Sequence, residues 1–265
     1  MLKLSGSIIG DYFSCKLRFI FSQIKKIEPE RKVDLATAFG GAIHKTIEIF
    51  YKAKIWEKCL EKGNAKPLTD IWRGVYLSHL ANEKVDLRNP DIYDPKSFHS
   101  IDAGWPVLQN FYSVQNEMGW LKEPQLVEDR FEVAYNEKVT LRGTIDLAID
   151  DYIIDFKTHR QVIPLEKLRN NFQCVLYPWA FEKKFGRPAK TIFFIFLRYG
   201  KQVSVPNSFM SESRIQEVVS EIQEFVDNPK EEPNTGSCYY CGYINVCKFF
   251  NNNKKRSSGI RFYDE

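Results

Sequence analysis

The sequence lacks the features of several large classes of protein. No apolar run approaches the roughly 20 residues that a membrane-spanning helix needs. The first residues, MLKLSGSIIGDYFSCKLRF, carry charges where a signal peptide needs a continuous apolar core. No linker rich in proline, glycine and serine and no internal repeat divides the 265 residues. We therefore expect one elaborated domain, 1–265, in a reducing cytoplasm, with no membrane partner.

A phosphate-binding loop is also missing, and the charge bias is weak. The pattern G-x4-G-K-[ST] does not occur, which excludes an ATP-driven motor within this chain. A hydrophobic content of 43% with 27% charged residues is typical of a folded globular protein and not of a disordered one. The net charge of +4 is only a mild indication of nucleic-acid binding, although basic residues are grouped near both ends.

The pattern of hydrophobic residues predicts helices on both sides of a group of strands. Short β-rich runs at 126–135, 138–150 and 152–158 favour an antiparallel meander, and the apolar run 190–199 favours a strand buried in a sheet. Residues 61–100, broken by three prolines, are predicted to form an inserted lobe, and 251–265 a flexible tail. This order predicts an α/β fold with a mixed central sheet flanked by helices. The predicted helices are 5–22, 37–60, 70–85, 101–118, 165–186 and 211–226.

Four of the six cysteines form a pattern that joins the two ends of the chain. Three thiols within ten residues favour a metal centre, because close thiolates repel one another unless a cation neutralises them. Four-thiolate ligation suits either zinc or a 4Fe-4S cluster, and the spacing does not choose between them. The four are Cys15, Cys238, Cys241 and Cys247, and the other two, Cys59 and Cys174, are predicted to be buried in helices.

Two carboxylates and a lysine form the most informative internal pattern. Asp146 and Asp155 fall on neighbouring predicted strands, and Lys157 follows on the same face as Asp155. Two carboxylates held close together disfavour joint ionisation unless a cation lies between them. An oxygen-rich site of this kind suits Mg²⁺ or Mn²⁺. The alternative is that these are ordinary solvent-facing charges on strands.

The segment from Gly143 to Lys157 resembles the core motif of the PD-(D/E)XK nuclease superfamily, in particular its RecB-type branch. That branch carries G-x-x-D followed by D-x-K-T. Two further motifs stand in the family order: GGAIH, ending in His44, and QCVLY, from Gln173 to Tyr177. The resemblance implies a restriction-endonuclease-like α/β core with a helical N-terminal region.

The cysteine pattern is similar to that of the iron–sulphur subgroup of RecB-type nucleases, which includes the AddB nuclease domain and the CRISPR-associated RecB-like exonucleases. This similarity implies a 4Fe-4S cluster on Cys15, Cys238, Cys241 and Cys247, with 236–250 as the C-terminal cysteine segment. Structural zinc is the alternative.

The resemblance also implies an activity, namely a DNA exonuclease that hydrolyses phosphodiester bonds and prefers single strands or free ends. The implied metal ligands are His44, Asp146, Asp155 and the backbone carbonyl of Phe156. The implied partner is DNA, together with a helicase, a recombination complex or a CRISPR integrase.

Several further residues receive roles from the same resemblance. Lys157 is expected to act on the scissile phosphate and the attacking water, with Gln173 and Tyr177 facing the site. Arg169, expected one turn before Gln173, and Tyr240, near the cysteines, are candidates for DNA contacts. Glu128 could belong to an outer shell of the metal site, although a surface glutamate on a strand is the simpler interpretation.

Two other classes of function stay open from the sequence. The chain could be a non-catalytic iron–sulphur subunit that grips DNA for a helicase or recombination complex, or a zinc-stabilised interaction protein. The presence of Asp146, Asp155 and Lys157 together argues against a non-catalytic role.

Overall fold

The computed structural model describes residues 1–29, 33–206, 212–234, 236, 238 and 241–250. The chain divides into two compact units. The central unit comprises Val33–Val133 and Arg142–Glu212, and the terminal unit comprises Met1–Lys32, Ala134–Leu141 and Ser213–Glu265. The predicted tail, 251–265, lies outside the described residues.

A mixed β-sheet forms the centre of the fold, as the sequence predicts. Strands β3, β4, β5 and β6 lie side by side in this order, and β2 pairs with β3. Strand β4 is antiparallel to β3 and parallel to β5, whereas β6 is antiparallel to β5. In the terminal unit, β1 pairs in parallel with the first residues of β3. The strands are β1 (Leu2–Leu4), β2 (Leu126–Ala134), β3 (Val139–Ile149), β4 (Tyr152–Lys157), β5 (Thr191–Phe196) and β6 (Lys201–Pro206).

A two-residue turn sets the register between β3 and β4. Asp150 and Asp151 both have positive φ, 50° and 67°, the backbone geometry of the type I′ turns that suit the twist of antiparallel hairpins. Leu147 pairs with Ile154 across this hairpin. One residue further on, the same register brings Asp146 level with Asp155, so the turn positions both carboxylates of the motif.

The helices form close to where the sequence predicts them, in more pieces. Three of them begin at a side-chain cap. Ser5, Asp34 and Ser100 each accept a hydrogen bond from the backbone N–H three residues later. The α-helices of the described residues are α1 (Gly6–Ser14), α2 (Lys16–Phe19), α3 (Leu35–Lys52), α4 (Ile55–Lys62), α5 (Lys66–Asn82), α6 (Ile101–Glu117), α7 (Leu165–Leu168), α8 (Gln173–Phe185) and α9 (Glu212–Asp227). A π-helical turn, Ile20–Ile24, follows α2, and a 3-10 turn, Pro90–Ile92, precedes α6.

Three predicted helices are interrupted, and each prediction of a continuous helix was wrong. Cys15 adopts an extended backbone, with φ −160°, and separates α1 from α2, so this cysteine does not lie within a helix. Lys54, with φ 53°, separates α3 from α4. Four residues, 169–172, separate α7 from α8. Hydrophobic periodicity continues across all three breaks, which is why the sequence pattern does not reveal them.

The core of the central unit lies between its sheet and the helices α3, α5 and α6. Phe39 and Phe50 of α3 pack in one cluster with Trp72 of α5 and with Leu147 and Phe156 of the sheet. Part of the segment 61–100 therefore contributes to this core through α5. Among the described residues, no helix is both long enough and apolar enough to cross a lipid bilayer.

In the terminal unit, Tyr12 connects the first helices with α9. Its ring packs edge-to-face on Phe19 and Phe225, with centroids 5.3 Å away in both cases. Its hydroxyl donates a hydrogen bond of 2.9 Å to Glu221, and the Lys16 ammonium lies 3.1 Å from the ring centroid. This packing fixes the backbone on both sides of Cys15.

Candidate active site

His44 and Asp146 meet at the backbone of Phe156. Asp146, which is only 8% exposed, accepts a hydrogen bond of 2.8 Å from the Phe156 N–H through Oδ2. His44 Nε2 lies 3.2 Å from the Phe156 carbonyl oxygen. A carbonyl oxygen can only accept, so Nε2 carries a proton, and Nδ1 is the ring nitrogen that faces the carboxylates. Histidines that bind metals through one nitrogen commonly donate from the other in this way.

Glu128 of β2 completes a group of three potential ligands. Its Oε1 lies 3.0 Å from His44 Nδ1, and Asp146 Oδ2 lies 3.7 Å from the same nitrogen. The ligand atoms of His44, Glu128 and Asp146 all lie within 4.8 Å of one another. Glu128 has φ 45°, a left-handed conformation that costs a non-glycine residue about 1–2 kcal/mol. Such strain is found where the surrounding structure holds a side chain in a required position.

For Glu128, the simpler interpretation as a surface glutamate was wrong, and the structure places its carboxylate in the group with His44 and Asp146. A glutamate in a strand that alternates between charged and apolar residues has the pattern of a surface residue, and its positive φ leaves no mark in the sequence. The structure places it against His44 and not on an isolated surface.

Burial and like charges control the ionisation of this group. Burial raises the pKa of Asp146, and the Asp155 and Glu128 carboxylates raise it further, against the opposing effect of His44. Burial lowers the pKa of His44, but the Asp146 and Glu128 carboxylates outweigh this effect and raise it. The carboxylate oxygens of Asp146 and Glu128 repel each other and lie beside a ring nitrogen of His44. A divalent cation such as Mg²⁺ or Mn²⁺ fits this set of ligands.

Lys157 lies at the end of β4 and connects the carboxylates to α8. Its Nζ lies 2.6 Å from Asp155 Oδ2 and donates a hydrogen bond of 3.0 Å to Gln173 Oε1. Burial lowers the pKa of Lys157, but the nearby Asp155 carboxylate outweighs it and raises the pKa. The ammonium is therefore charged and held in one direction, with only 15% of the side chain exposed.

The amide of Gln173 is fixed from both ends. Its Nε2 donates to the Tyr177 hydroxyl over 2.7 Å, one helical turn away, and Asn171 donates to its Oε1 over 3.0 Å. Burial raises the pKa of Tyr177, so its phenol stays protonated. Asn171 has no place in the sequence motif, and its contact could not be predicted because it lies in the break before α8.

Glycines of two motifs allow close approaches around the site. A Cβ on Gly143 would lie 2.7 Å from Phe131 Cζ and 3.3 Å from Tyr177 Cε1. A Cβ on Gly40 would lie 3.0 Å from Thr158 Oγ1, and one on Gly41 would lie 2.5 Å from His79 Nε2. Gly40 and Gly143 therefore let α3 and α8 approach the strands that carry the acidic residues, and Gly41 lets α3 approach α5.

The four cysteines of the pattern line one cavity in the terminal unit, together with residues that include Leu17, Phe21 and Phe249. All four are free thiols. Burial raises the pKa of Cys238, and the neighbouring Cys241, Cys247 and Cys15 raise it further. In the described part of the chain, His44, Glu128 and Asp146 are the group in which three ligand atoms lie within 4.8 Å of one another, and no three of the four thiols meet this distance. The four cysteines that line the cavity are Cys15, Cys238, Cys241 and Cys247.

Both candidate DNA contacts stay predictions, and the structure corrects the position of one of them. Arg169 lies at the end of α7, in the break before α8, so the prediction that it sits one turn before Gln173 on the same helix was wrong. Tyr240 lies outside the described residues, as does Tyr239. Tyr243 is 6% exposed and packs on Phe21 with ring centroids 5.6 Å apart, which favours packing over base stacking for this tyrosine.

Comparison with known proteins identifies the family. No curated protein matches the chain. The family model described as the PD-(D/E)XK nuclease superfamily matches residues 3–248, a span that includes both units and every motif described above. The arrangement of Asp146, Asp155 and Lys157 at neighbouring strands agrees with this match. The chain therefore belongs to the PD-(D/E)XK nuclease superfamily.

Proposed function

We propose that this protein is a DNA exonuclease that prefers single strands with free ends and carries a structural 4Fe-4S cluster. Membership of the superfamily indicates a metal-dependent nuclease. The observation that carries the proposal is the convergence of His44, Glu128 and Asp146 within 4.8 Å, next to an ion pair between Asp155 and Lys157. This arrangement supplies ligands for a cation and a separate fixed positive charge.

A divalent cation would be held by the ligands that the resemblance implies, namely His44 through Nδ1, Asp146, Asp155 and the Phe156 carbonyl, and in addition by Glu128, which lies beside His44. When bound, the cation would offset charge on the scissile phosphate and lower the pKa of a water molecule. His44 can serve this site because the Phe156 carbonyl holds the proton on Nε2. Asp146 is oriented by the Phe156 N–H, so the chain fixes the direction of both ligands before any cation arrives.

Lys157 provides the positive charge that acts on the reacting phosphate. Negative charge grows on the non-bridging oxygens as the phosphodiester bond breaks, and a preoriented ammonium stabilises it more than a mobile one. Asp155 and Gln173 hold this ammonium. Tyr177 in turn fixes Gln173, and we assign both residues to positioning Lys157 and the substrate.

The cluster assignment rests on the cysteines and on the resemblance to the iron–sulphur subgroup. Four thiolates suit either a zinc ion or a 4Fe-4S cluster, so the choice of the cluster rests on the resemblance. We infer a structural role, because the cysteines come from both ends of the chain and hold them in one cavity.

The preference for ends of single strands and a partnership with a helicase, recombination complex or integrase follow from the same resemblance. A digestion time course on end-labelled DNA tests the activity. Linear single strands should be degraded with Mn²⁺ or Mg²⁺, and added chelator should stop the reaction. A closed single-stranded circle cut as fast as the linear form would contradict the end preference. No cutting of any DNA would contradict the nuclease assignment itself.

A further inference from the structure

A cationic and aromatic surface lies at the end of strands β4 and β5. These strands are parallel, and Lys157, the last residue of β4, pairs with Phe196, the last residue of β5. The chain segments that follow both strands therefore leave the sheet at the edge that carries Lys157. We call this region the strand-end surface and define it by Phe98, Arg160, Arg198 and Tyr199.

Two arginines of this surface are held in place without a carboxylate partner. Arg198 donates from Nε to the carbonyl oxygen of Thr158 over 2.8 Å, and its guanidinium lies 4.9 Å from the ring centroid of Phe39. The guanidinium of Arg160 lies 3.9 Å from the ring centroid of Phe98. Within the described ranges, neither arginine forms an ion pair with a carboxylate. Two guanidinium groups without counter-charges are suited to an anion.

The charges also act on each other. Burial lowers the pKa of Arg198, Tyr199 opposes this by raising it, and the positive charge of Arg160 lowers it again by a smaller amount. Holding like charges near each other is unfavourable in the free protein. An anionic ligand would relieve this repulsion on binding.

Two exposed aromatic rings lie beside Arg160. Phe98 is 52% exposed and Tyr199 is 47% exposed. The Tyr199 hydroxyl donates a hydrogen bond to the Arg160 carbonyl oxygen, which fixes the phenol beside the backbone of that arginine. Large exposed rings next to unpaired guanidinium groups match a ligand that alternates phosphates and flat bases.

We propose that the strand-end surface binds the single-stranded DNA that flanks the scissile phosphate. Arg160 and Arg198 bind backbone phosphates, while Phe98 and Tyr199 stack on unpaired bases. A duplex conceals the faces of its bases, so it would use the arginines alone. This inference rests on the proposed nuclease function and assigns a substrate-binding surface that none of the sequence motifs contains.

Binding measurements on the metal-free protein test the inference without cleavage. Fluorescence anisotropy with a labelled oligothymidylate in chelator gives the affinity at several salt concentrations. Arg160→Ala should weaken binding and reduce the slope of log affinity against log salt by about 0.7, the value for one phosphate contact to a single strand. Phe98→Ala should weaken binding roughly 5- to 150-fold.

An oligonucleotide of abasic sugars separates the two kinds of contact. Phe98→Ala should weaken binding of this probe much less than binding of oligothymidylate, because no base is present to stack and only the contact between Phe98 and Arg160 is lost. Arg160→Ala should still weaken its binding. Equal loss by Phe98→Ala on both probes would overturn the stacking role.

Two substitutions serve as controls. Arg88 is 90% exposed and paired with Asp86, and Tyr93 is 50% exposed without an arginine on its ring in the part of the chain described, so Arg88→Ala and Tyr93→Ala should bind like the unmodified protein. Unchanged affinity and salt slope in Arg160→Ala and Phe98→Ala would overturn the inference. If the unmodified protein cuts DNA while these variants bind normally, the inference about the strand-end surface is wrong and the proposed nuclease function stands. If it cuts no DNA, the proposed function is wrong, and the binding data still decide whether this surface holds a single strand.

Discussion

The backbone N–H of Phe156 donates a hydrogen bond of 2.8 Å to Asp146 Oδ2, and the carbonyl of the same residue lies 3.2 Å from His44 Nε2. One peptide segment thereby orients two potential ligands that lie 102 positions apart in the sequence, at 44 and 146. Both side chains are aligned by backbone groups of a strand buried in the sheet, which is a rigid support.

Replacing Lys157 by alanine should reduce cleavage roughly 100- to 1,000-fold, because removal of one preoriented charge at a reacting oxygen typically has that effect. Binding of DNA in chelator should change far less, since the ammonium stabilises charge that develops only during the reaction. Single-turnover cleavage with Mn²⁺ measures the first quantity and anisotropy the second. Lys45→Ala, which changes a lysine on α3 that is 51% exposed, is the control. Cleavage by Lys157→Ala at the unmodified rate would remove this lysine from the mechanism.

Divalent cations should raise the melting temperature of the unmodified protein. A ligand that binds only the folded state adds about 2.7 kcal/mol to the free energy of unfolding when its concentration is 100 times its dissociation constant. The Asp146→Asn variant should lose most of this increase, because the amide keeps the shape but not the charge of the carboxylate. Thermal unfolding with and without Mn²⁺ makes the comparison, with Asp129→Asn as control, since Asp129 pairs with Lys184 and not with His44. An equal increase in Asp146→Asn would contradict the assignment of Asp146 as a ligand.

The strain at Glu128 can be measured with a matched pair of variants. Both Glu128→Ala and Glu128→Gly remove the carboxylate, but only glycine adopts φ 45° without a steric penalty of about 1–2 kcal/mol. Glycine within a strand ordinarily costs about 0.5–1 kcal/mol relative to alanine. Glu128→Gly should therefore be at least as stable as Glu128→Ala in urea unfolding. The same pair at Arg130, on the same strand with ordinary φ, should show the usual order, with alanine the more stable.

Gly143→Ala should disturb the site through packing. The new Cβ would lie 2.7 Å from Phe131 Cζ and 3.3 Å from Tyr177, and overpacking of this kind typically costs about 1–3 kcal/mol. Displacement of Tyr177 should also loosen Gln173 and lower the cleavage rate. The double variant Gly143→Ala with Phe131→Leu should recover part of both losses, because it makes room for the methyl group. Independent, additive effects would show that the close approach is not the cause.

Local spacing in the sequence determines which side chains of the candidate site share a face, but it does not determine every contact or every break in the fold. Asp155 and Lys157 alternate on one strand, and Gln173 and Tyr177 lie one helical turn apart, so their local spacing determines which of them share a face. Glu128 depends on a strained φ, and Asn171 on a break between helices, which only the folded chain determines. Strand β1 is three residues long and forms by pairing with β3. This interaction is long-range, so the local sequence pattern does not predict it.

Cys241→Ala should cost far more than the loss of a local contact. In the proposed cluster Cys241 joins Cys15 across more than 200 residues, and closing a loop of 100 residues or more stabilises a fold by about 4–5 kcal/mol in the loop-entropy account of a disulfide. Ligation adds its own free energy to folding. Iron content, melting temperature and cleavage should therefore fall together in Cys241→Ala. Cys59→Ala is the matched control, because that thiol is fully buried in α4, outside the cysteine cavity, and should lose some stability but no iron. Retention of iron by Cys241→Ala, or an equal loss of iron in Cys59→Ala, would overturn the ligand assignment, and zinc in place of iron in the anaerobically purified protein would favour a single-ion site.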